Sequence, residues 1–181
     1  MTHATLLSSD YSHYAARAAA AHPKLAVQVA ELASAPLTRE RIDARFDMLC
    51  AEAAGGASAP LTEEALKRAL RRLRTEVFCA VMERDLAGEA DVAEVTGAMT
   101  DLAETTIQRA LAVLSAELEA LFGEPRGPQG ERLTLGVVGM GKLGGRELNV
   151  SSDIDLIFIY EEDGETAGGQ RAAIATQDFF T

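Results

Sequence analysis

Through most of the chain the apolar positions fall three and four residues apart, the spacing of one helix face. Asp10 to Ala21 and Lys24 to Ala33 read as short helices parted by Pro23, with an alanine stripe suited to helix–helix packing. Thr38 to Glu52 follows, with Ile42, Phe46 and Leu49 on one face. The stretch Gly55-Gly56-Ala57-Ser58-Ala59-Pro60 then breaks the pattern as a loop. Thr62 is placed to cap the next helix, and Glu63 and Glu64 sit where the helix dipole favours acids. Leu66, Leu70, Leu73, Val77 and Val81 give that helix an apolar face. Its other face carries Lys67, Arg68, Arg71, Arg72 and Arg74, which reads as a solvated surface, with a phosphate-binding patch as the alternative. Asp91 and Glu94 have capping-box spacing and open a further helix, with a kink expected at Gly97. Leu102, Ile107, Leu111, Leu114, Leu118 and Leu121 form its stripe, and Gly123 and Pro125 supply the stop.

Beyond this point the period changes. Glu124 to Gly130 reads as a linker, dividing a helical region (1–123) from a second domain (131–181). Leu133 to Val138 is a short apolar run rich in β-branched residues, the pattern of a buried strand. A glycine-dense turn follows, and a second strand, Leu156 to Tyr160, is opened by Asp153-Ile154-Asp155. Strand alternation places Asp153, Asp155, Ile157 and Ile159 on one face and Ile154, Leu156, Phe158 and Tyr160 on the other. Past the aspartates both faces are apolar and are expected to be covered. At the entry end two carboxylates stand roughly 6–7 Å apart along the strand, an arrangement suited to a cation in a cleft. The chain stops within what reads as a new helix from Ala172, so the second domain is expected to be cut short, with too few strands to close a sheet.

Composition narrows the functions available. The 181 residues carry 28 acids against 17 Lys and Arg, a net charge of −11, which argues against a nucleic-acid partner. There is no tryptophan to build a base-stacking platform. No apolar run is long enough to span a membrane, and no signal-peptide core interrupts the N-terminus. Cys50 and Cys79 lack the paired spacing of a zinc site or a disulfide framework, so the chain reads as cytoplasmic.

The glycine turn admits three readings. Gly139-Met140-Gly141-Lys142-Leu143-Gly144 spells a dinucleotide-binding fingerprint, which would make this an NAD-binding oxidoreductase module. The space before Asp153 is short for the helix that reading needs, and the acids open the second strand where a ribose-binding acid closes it. Gly136 to Lys142 begins a P-loop, but Leu143 stands where a hydroxyl must meet Mg²⁺. The third reading is a nucleotidyltransferase: a strand, a Gly-Gly turn at Gly144 and Gly145, seven residues, and an Asp-x-Asp strand. Glycines let the backbone approach a phosphate and offer N–H groups to it. Paired carboxylates can hold Mg²⁺ or Mn²⁺ against the phosphate during in-line displacement. This reading accounts for the acids as well as the glycines.

The run GMGKLGGRELNVSSDIDLIFIYEEDGE resembles the motif of bacterial glutamine synthetase adenylyltransferase/adenylyl-removing enzymes, and the helical stretch before it is similar to the same family. The resemblance is close over about residues 60–181 and loose before them. It implies an α+β chain: a helical N-terminal region followed by the start of a polymerase-β-like nucleotidyltransferase domain with a mixed sheet. It implies glutamine synthetase as protein substrate, ATP/ADP and phosphate as small substrates, and PII signalling protein as a regulator. The N-terminal placement of the motif is similar to the half that removes AMP by phosphorolysis, giving ADP. Carried over by position, Asp153 and Asp155 match the catalytic metal-binding pair, and Gly144 and Gly145 the phosphate-side turn, with Gly139 and Gly141 in the same loop. Ser151 and Ser152 are placed to bond a phosphate oxygen, and Lys142 to lend it positive charge. A third carboxylate from a later strand, usual in that fold, is absent, so the chain alone is expected to be inactive. A non-catalytic helical scaffold that docks the target enzyme is the competing non-enzymatic reading.

Overall fold

The computed structural model describes residues 6–56 and 61–181, which fall into two units: Met1–Ile107 with Arg146–Ser152, and Gln108–Gly145 with Asp153–Thr181. Part of the expected loop, 57–60, lies outside the described residues.

The first unit is helical. A 3₁₀ turn at Leu7–Asp10 leads into α1 (His13–Ala21), α2 (Leu25–Ala33), α3 (Arg39–Ala54), α4 (Glu63–Leu86) and the first half of α5 (Val92–Phe122). Pro23 parts α1 from α2, since it has no N–H to continue a ladder. Thr62 caps α4, its hydroxyl oxygen accepting the Ala65 N–H at 3.3 Å. Asp91 does the same ahead of α5, accepting the Glu94 N–H at 2.8 Å. α5 runs unbroken through Gly97, because glycine weakens a helix but keeps the N–H that the ladder needs.

α4 is the axis of this unit, with α2 and α3 packed along it. Leu66, Leu73, Val77, Ala80 and Val81 on α4 are buried, as are Val29 on α2 and Ile42, Phe46 and Leu49 on α3. Within this apolar interior α4 also buries charge. Glu76 is fully enclosed and accepts two hydrogen bonds from Arg45, at 2.6 and 3.0 Å, and one from Arg72 at 2.9 Å. Arg84, nearly as buried, grips both carboxylate oxygens of Glu94, at 2.6 and 3.1 Å, and donates to the Ala33 carbonyl at 3.1 Å. Half-buried Glu83 accepts the N–H groups of Leu7 and Ser8, which ties the 3₁₀ turn to α4. Neither Cys50 nor Cys79 forms a disulfide among the described residues, and burial pushes the Cys79 thiol up to about 11.

The second unit holds the rest of α5, β1 (Gly123–Arg126), β2 (Gly136–Gly139), the single-turn α6 (Gly141–Gly144), β3 (Leu156–Ile159), β4 (Glu165–Gly168) and the single-turn α7 (Thr176–Phe179). β1 pairs with β4 and β2 with β3, each antiparallel. The chain is therefore α+β. In place of the mixed sheet expected from the sequence, the described residues form two separate two-stranded antiparallel sheets. The stretch expected to be a linker begins as strand β1. Pro125 sits in that strand opposite Thr166 and accepts the Leu133 N–H through its carbonyl, a two-stranded setting in which a missing donor is tolerated. Leu133, Phe179 and Thr176 are buried in this unit.

One expectation is overturned. The faces of the Leu156 strand are not covered: Ile157, Phe158 and Ile159 are 47%, 56% and 52% exposed. An apolar pattern states which side chains prefer burial, but a two-stranded sheet has no further layer with which to bury them. The second half of the α5 stripe behaves similarly, Leu114 being 39% exposed.

Candidate functional site

The β2–β3 register brings the glycine turn and the aspartates to one end of the strand pair. Gly139, the last residue of β2, pairs with Leu156, the first of β3. One step further, the Met140 N–H donates to the Asp155 carbonyl at 2.9 Å. The turn that follows Met140 therefore starts beside the backbone of Asp155. Asp153 and Asp155 precede β3 rather than lying within it, both are exposed, and neither carboxylate forms an ion pair or hydrogen bond among the described residues.

The glycines have local reasons to be glycine. Gly141 holds φ at +52°, a left-handed conformation that costs a residue with a Cβ about 1–2 kcal/mol. A Cβ on Gly144 would stand 2.6 Å from the Gly139 carbonyl oxygen, and one on Gly139 would meet the buried Leu143 side chain at 2.6 Å. These two contacts fold the turn tightly back against the end of β2. Gly145 closes α6 in ordinary helical conformation, its N–H bonded to the Gly141 carbonyl at 2.9 Å. Lys142 is exposed and has no acidic partner among the described residues.

Ser151 and Ser152 are already engaged. Both hydroxyls donate to the Asn149 amide oxygen at 3.0 Å, and the Asn149 N–H donates back to the Ser152 hydroxyl at 3.2 Å. Asn149 is the hub of this small knot, a role the sequence reading did not give it. Arg146 was also missed. It sits at φ 57° and reaches Asp101 and Glu104 of α5, at 2.5 and 2.8 Å. The only sequence signal for it was a bulky residue directly after a Gly-Gly pair.

The dinucleotide reading fits none of this geometry. It requires a parallel β-α-β crossover with a full helix presenting its N-terminus to a pyrophosphate. Here β2 and β3 are antiparallel and α6 is four residues long.

An α+β chain with a glycine turn set beside an acid-bearing strand opening is the class that fold and site define. The family model for glutamate–ammonia ligase adenylyltransferase matches residues 7–181. The chain belongs to that family. It is 70% identical over 176 residues to the bifunctional glutamine synthetase adenylyltransferase/adenylyl-removing enzyme of Burkholderia mallei, covering 97% of this chain and 19% of that protein. It is 52% identical over 175 residues to the protein of the same name from Ralstonia nicotianae, covering 96% of this chain and 18% of that protein. The Bordetella pertussis protein of that name is 42% identical over 162 residues, 88% of this chain and 17% of its own length. The chain thus spans about a fifth of the length of these relatives.

Proposed function

We propose that the chain carries part of a metal-dependent nucleotidyl-transfer site that acts on glutamine synthetase, in the direction that removes AMP from the modified tyrosine by phosphorolysis and yields ADP. The observation that supports it is the shared end of β2 and β3, where a glycine turn and two unpaired carboxylates stand together. The relatives' name supplies the protein substrate and includes an adenylyl-removing activity, which is the direction taken here. PII signalling protein as regulator, and a cytoplasmic setting, belong to the same reading.

The donor set fits Mg²⁺ or Mn²⁺. Asp153 and Asp155 are hard oxygen donors, open to water and free of competing cations, and Mg²⁺ commonly takes one or two carboxylates and keeps several waters. A bound ion would offset the charge that builds on the transferred phosphoryl oxygens. The chain's own residues contribute binding and placement. The tight Gly139–Gly144 turn lets backbone approach a phosphate, and Lys142 adds a positive charge at the turn. Ser151 and Ser152 would have to leave Asn149 before their hydroxyls could bond a phosphate oxygen. No third acid joins the pair, as no group of three metal-ligating side chains occurs among the described residues.

Mn²⁺ titration of this chain tests the metal pair. Asp153→Asn and Asp155→Asn should each weaken binding by about tenfold or more, about 1.4 kcal/mol. Unchanged affinity in Asp155→Asn would remove the assignment. In the full-length relative, the equivalent change should abolish ADP release from adenylylated glutamine synthetase supplied with phosphate and Mg²⁺. The 181-residue chain alone should release none above background.

A further inference from the structure

The arginine face of α4 is not simply solvated. A cavity of about 970 Å³ lies over it, walled by Tyr14 of α1, the turn between α1 and α2, and the C-terminal turn of α3. Arg68, Arg71, Arg72, Arg74 and Lys24 all line it, and only two acids do, Glu52 and Glu76. Both acids are already engaged: Arg72 bridges them, at 2.5 Å to Glu52 and 2.9 Å to Glu76, and Arg45 takes the rest of Glu76. Arg68 donates only to the Ala53 carbonyl, at 3.2 Å. Arg74 reaches the Tyr14 hydroxyl at 3.4 Å and lies over the Tyr14 and Phe78 rings. The Arg71 guanidinium and the Lys24 ammonium bond to nothing among the described residues.

Four cations without an acid partner therefore converge on one concave surface, in a chain where acids outnumber basic residues 28 to 17. A solvated face would draw on that excess of acids, as Lys67 does with Glu63 on the same helix. The volume is that of a small-molecule site. The buried Leu25, Leu49 and Ala69 form an apolar floor beneath the charged rim. Arg68 and Arg74 are six residues apart on α4, roughly 9 Å along the axis, so their charges suit an extended anion better than a single phosphate. Guanidinium forks match phosphate oxygens in pairs.

We infer that this cavity binds a small organic polyphosphate, its phosphates on Arg68, Arg71 and Arg74 and its apolar body on the floor. The inference is independent of the proposed transfer site, since every residue invoked lies in the helical unit and none is at the glycine turn.

The test is calorimetric titration of the chain with inorganic tripolyphosphate in EDTA, using the Asp153→Asn/Asp155→Asn variant so that no metal-held phosphate contributes. Binding should persist in that variant. Arg71→Ala, which removes an exposed side chain with no bond to break, should weaken it by about tenfold, and adding Arg68→Ala should remove it. Arg71→Lys should fall between, keeping charge but losing the fork. Arg171→Ala, remote in sequence and in the other unit, should leave affinity unchanged. Four results would overturn the inference: no binding at all, full affinity in the Arg68/Arg71 double variant, equal loss in Arg171→Ala, or citrate binding as tightly as tripolyphosphate.

Discussion

The helical unit and the strand unit use similar residues to different effect. In the first, α4 is flanked by α2 and α3, and its apolar face, together with the charges of Glu76 and Arg84, is enclosed. In the second, an equally apolar strand, Leu156–Ile159, has one partner strand and leaves three consecutive large side chains half open to water. The difference shows that burial is granted by neighbours rather than by composition. A helix completes its own backbone hydrogen bonds and needs only a packing face, whereas a strand needs partners on its edges and a layer on each face. It also explains where charge can be tolerated. Glu76 is affordable because Arg45 and Arg72 sit in helices that hold them in place, while Asp153 and Asp155 need no such support because they stand in solvent.

The largest test of that contrast is Glu76→Ala. It leaves Arg45 buried without its carboxylate, and loss of one member of a buried pair costs about 3–5 kcal/mol. Chemical denaturation should show the helical unit losing most of its stability. Retention of stability within about 0.5 kcal/mol of the parent would mean water replaces the carboxylate freely and the site is not enclosed.

Leu73→Ala removes a fully buried side chain from the α4 face and should cost about 3 kcal/mol by the same measurement.

Glu94→Gln comes next, at about 1–3 kcal/mol near neutral pH, since Arg84 loses its charged partner. It also has a pH signature. The hydrogen bond from Arg84 holds the Glu94 carboxyl below the usual carboxylate range. A depressed folded-state value means the stabilisation is complete above the ordinary range and is lost as pH falls through the lowered value. The parent's stability should therefore decline on that acid limb, and Glu94→Gln should flatten it. An unchanged acid limb would exclude the pair as a source of the pH dependence.

Thr62→Ala deletes the α4 cap and should cost about 1 kcal/mol, with amide exchange accelerated first in the opening turn of α4.

Phe158→Ala should have the smallest effect, under about 0.5 kcal/mol, although it removes more carbon than Leu73→Ala. A cost near that of Leu73→Ala would show that β3 is covered in solution and would erase the contrast.

Much of the first unit was legible in the sequence because its rules are local. Thr62 and Asp91 announce helix starts through hydrogen bonds that span three residues, and Pro23 announces a stop by what it lacks. The glycine turn was legible for a similar reason: Gly141 needs a left-handed φ and Gly144 a close approach to Gly139, both settled within six residues. Two further features were harder to read. The stretch from Glu124 carried the residues of a linker, and only pairing with β4, some forty positions away, made its start a strand. Ser151 and Ser152 were read as phosphate donors, yet Asn149 takes both hydroxyls, a competition that spacing alone does not reveal. Arg146 was overlooked because its partners, Asp101 and Glu104, lie more than forty positions away, whereas Asn149 was overlooked although its partners are only two and three residues on.

By itself, then, the sequence determined the helices, their caps, the order of helical and strand regions and the family, and it nominated the residues of the proposed site. The tertiary structure decided which apolar faces found a cover, that the two strand pairs run antiparallel in separate sheets, and that the glycine turn and Asp155 share one end of a strand pair. It also turned the arginines of α4 from a plain charged stripe into the rim of a cavity. The physical reason is range: caps, turns and periodicity act over a few residues, while burial, register and charge compensation depend on what distant parts of the chain bring alongside.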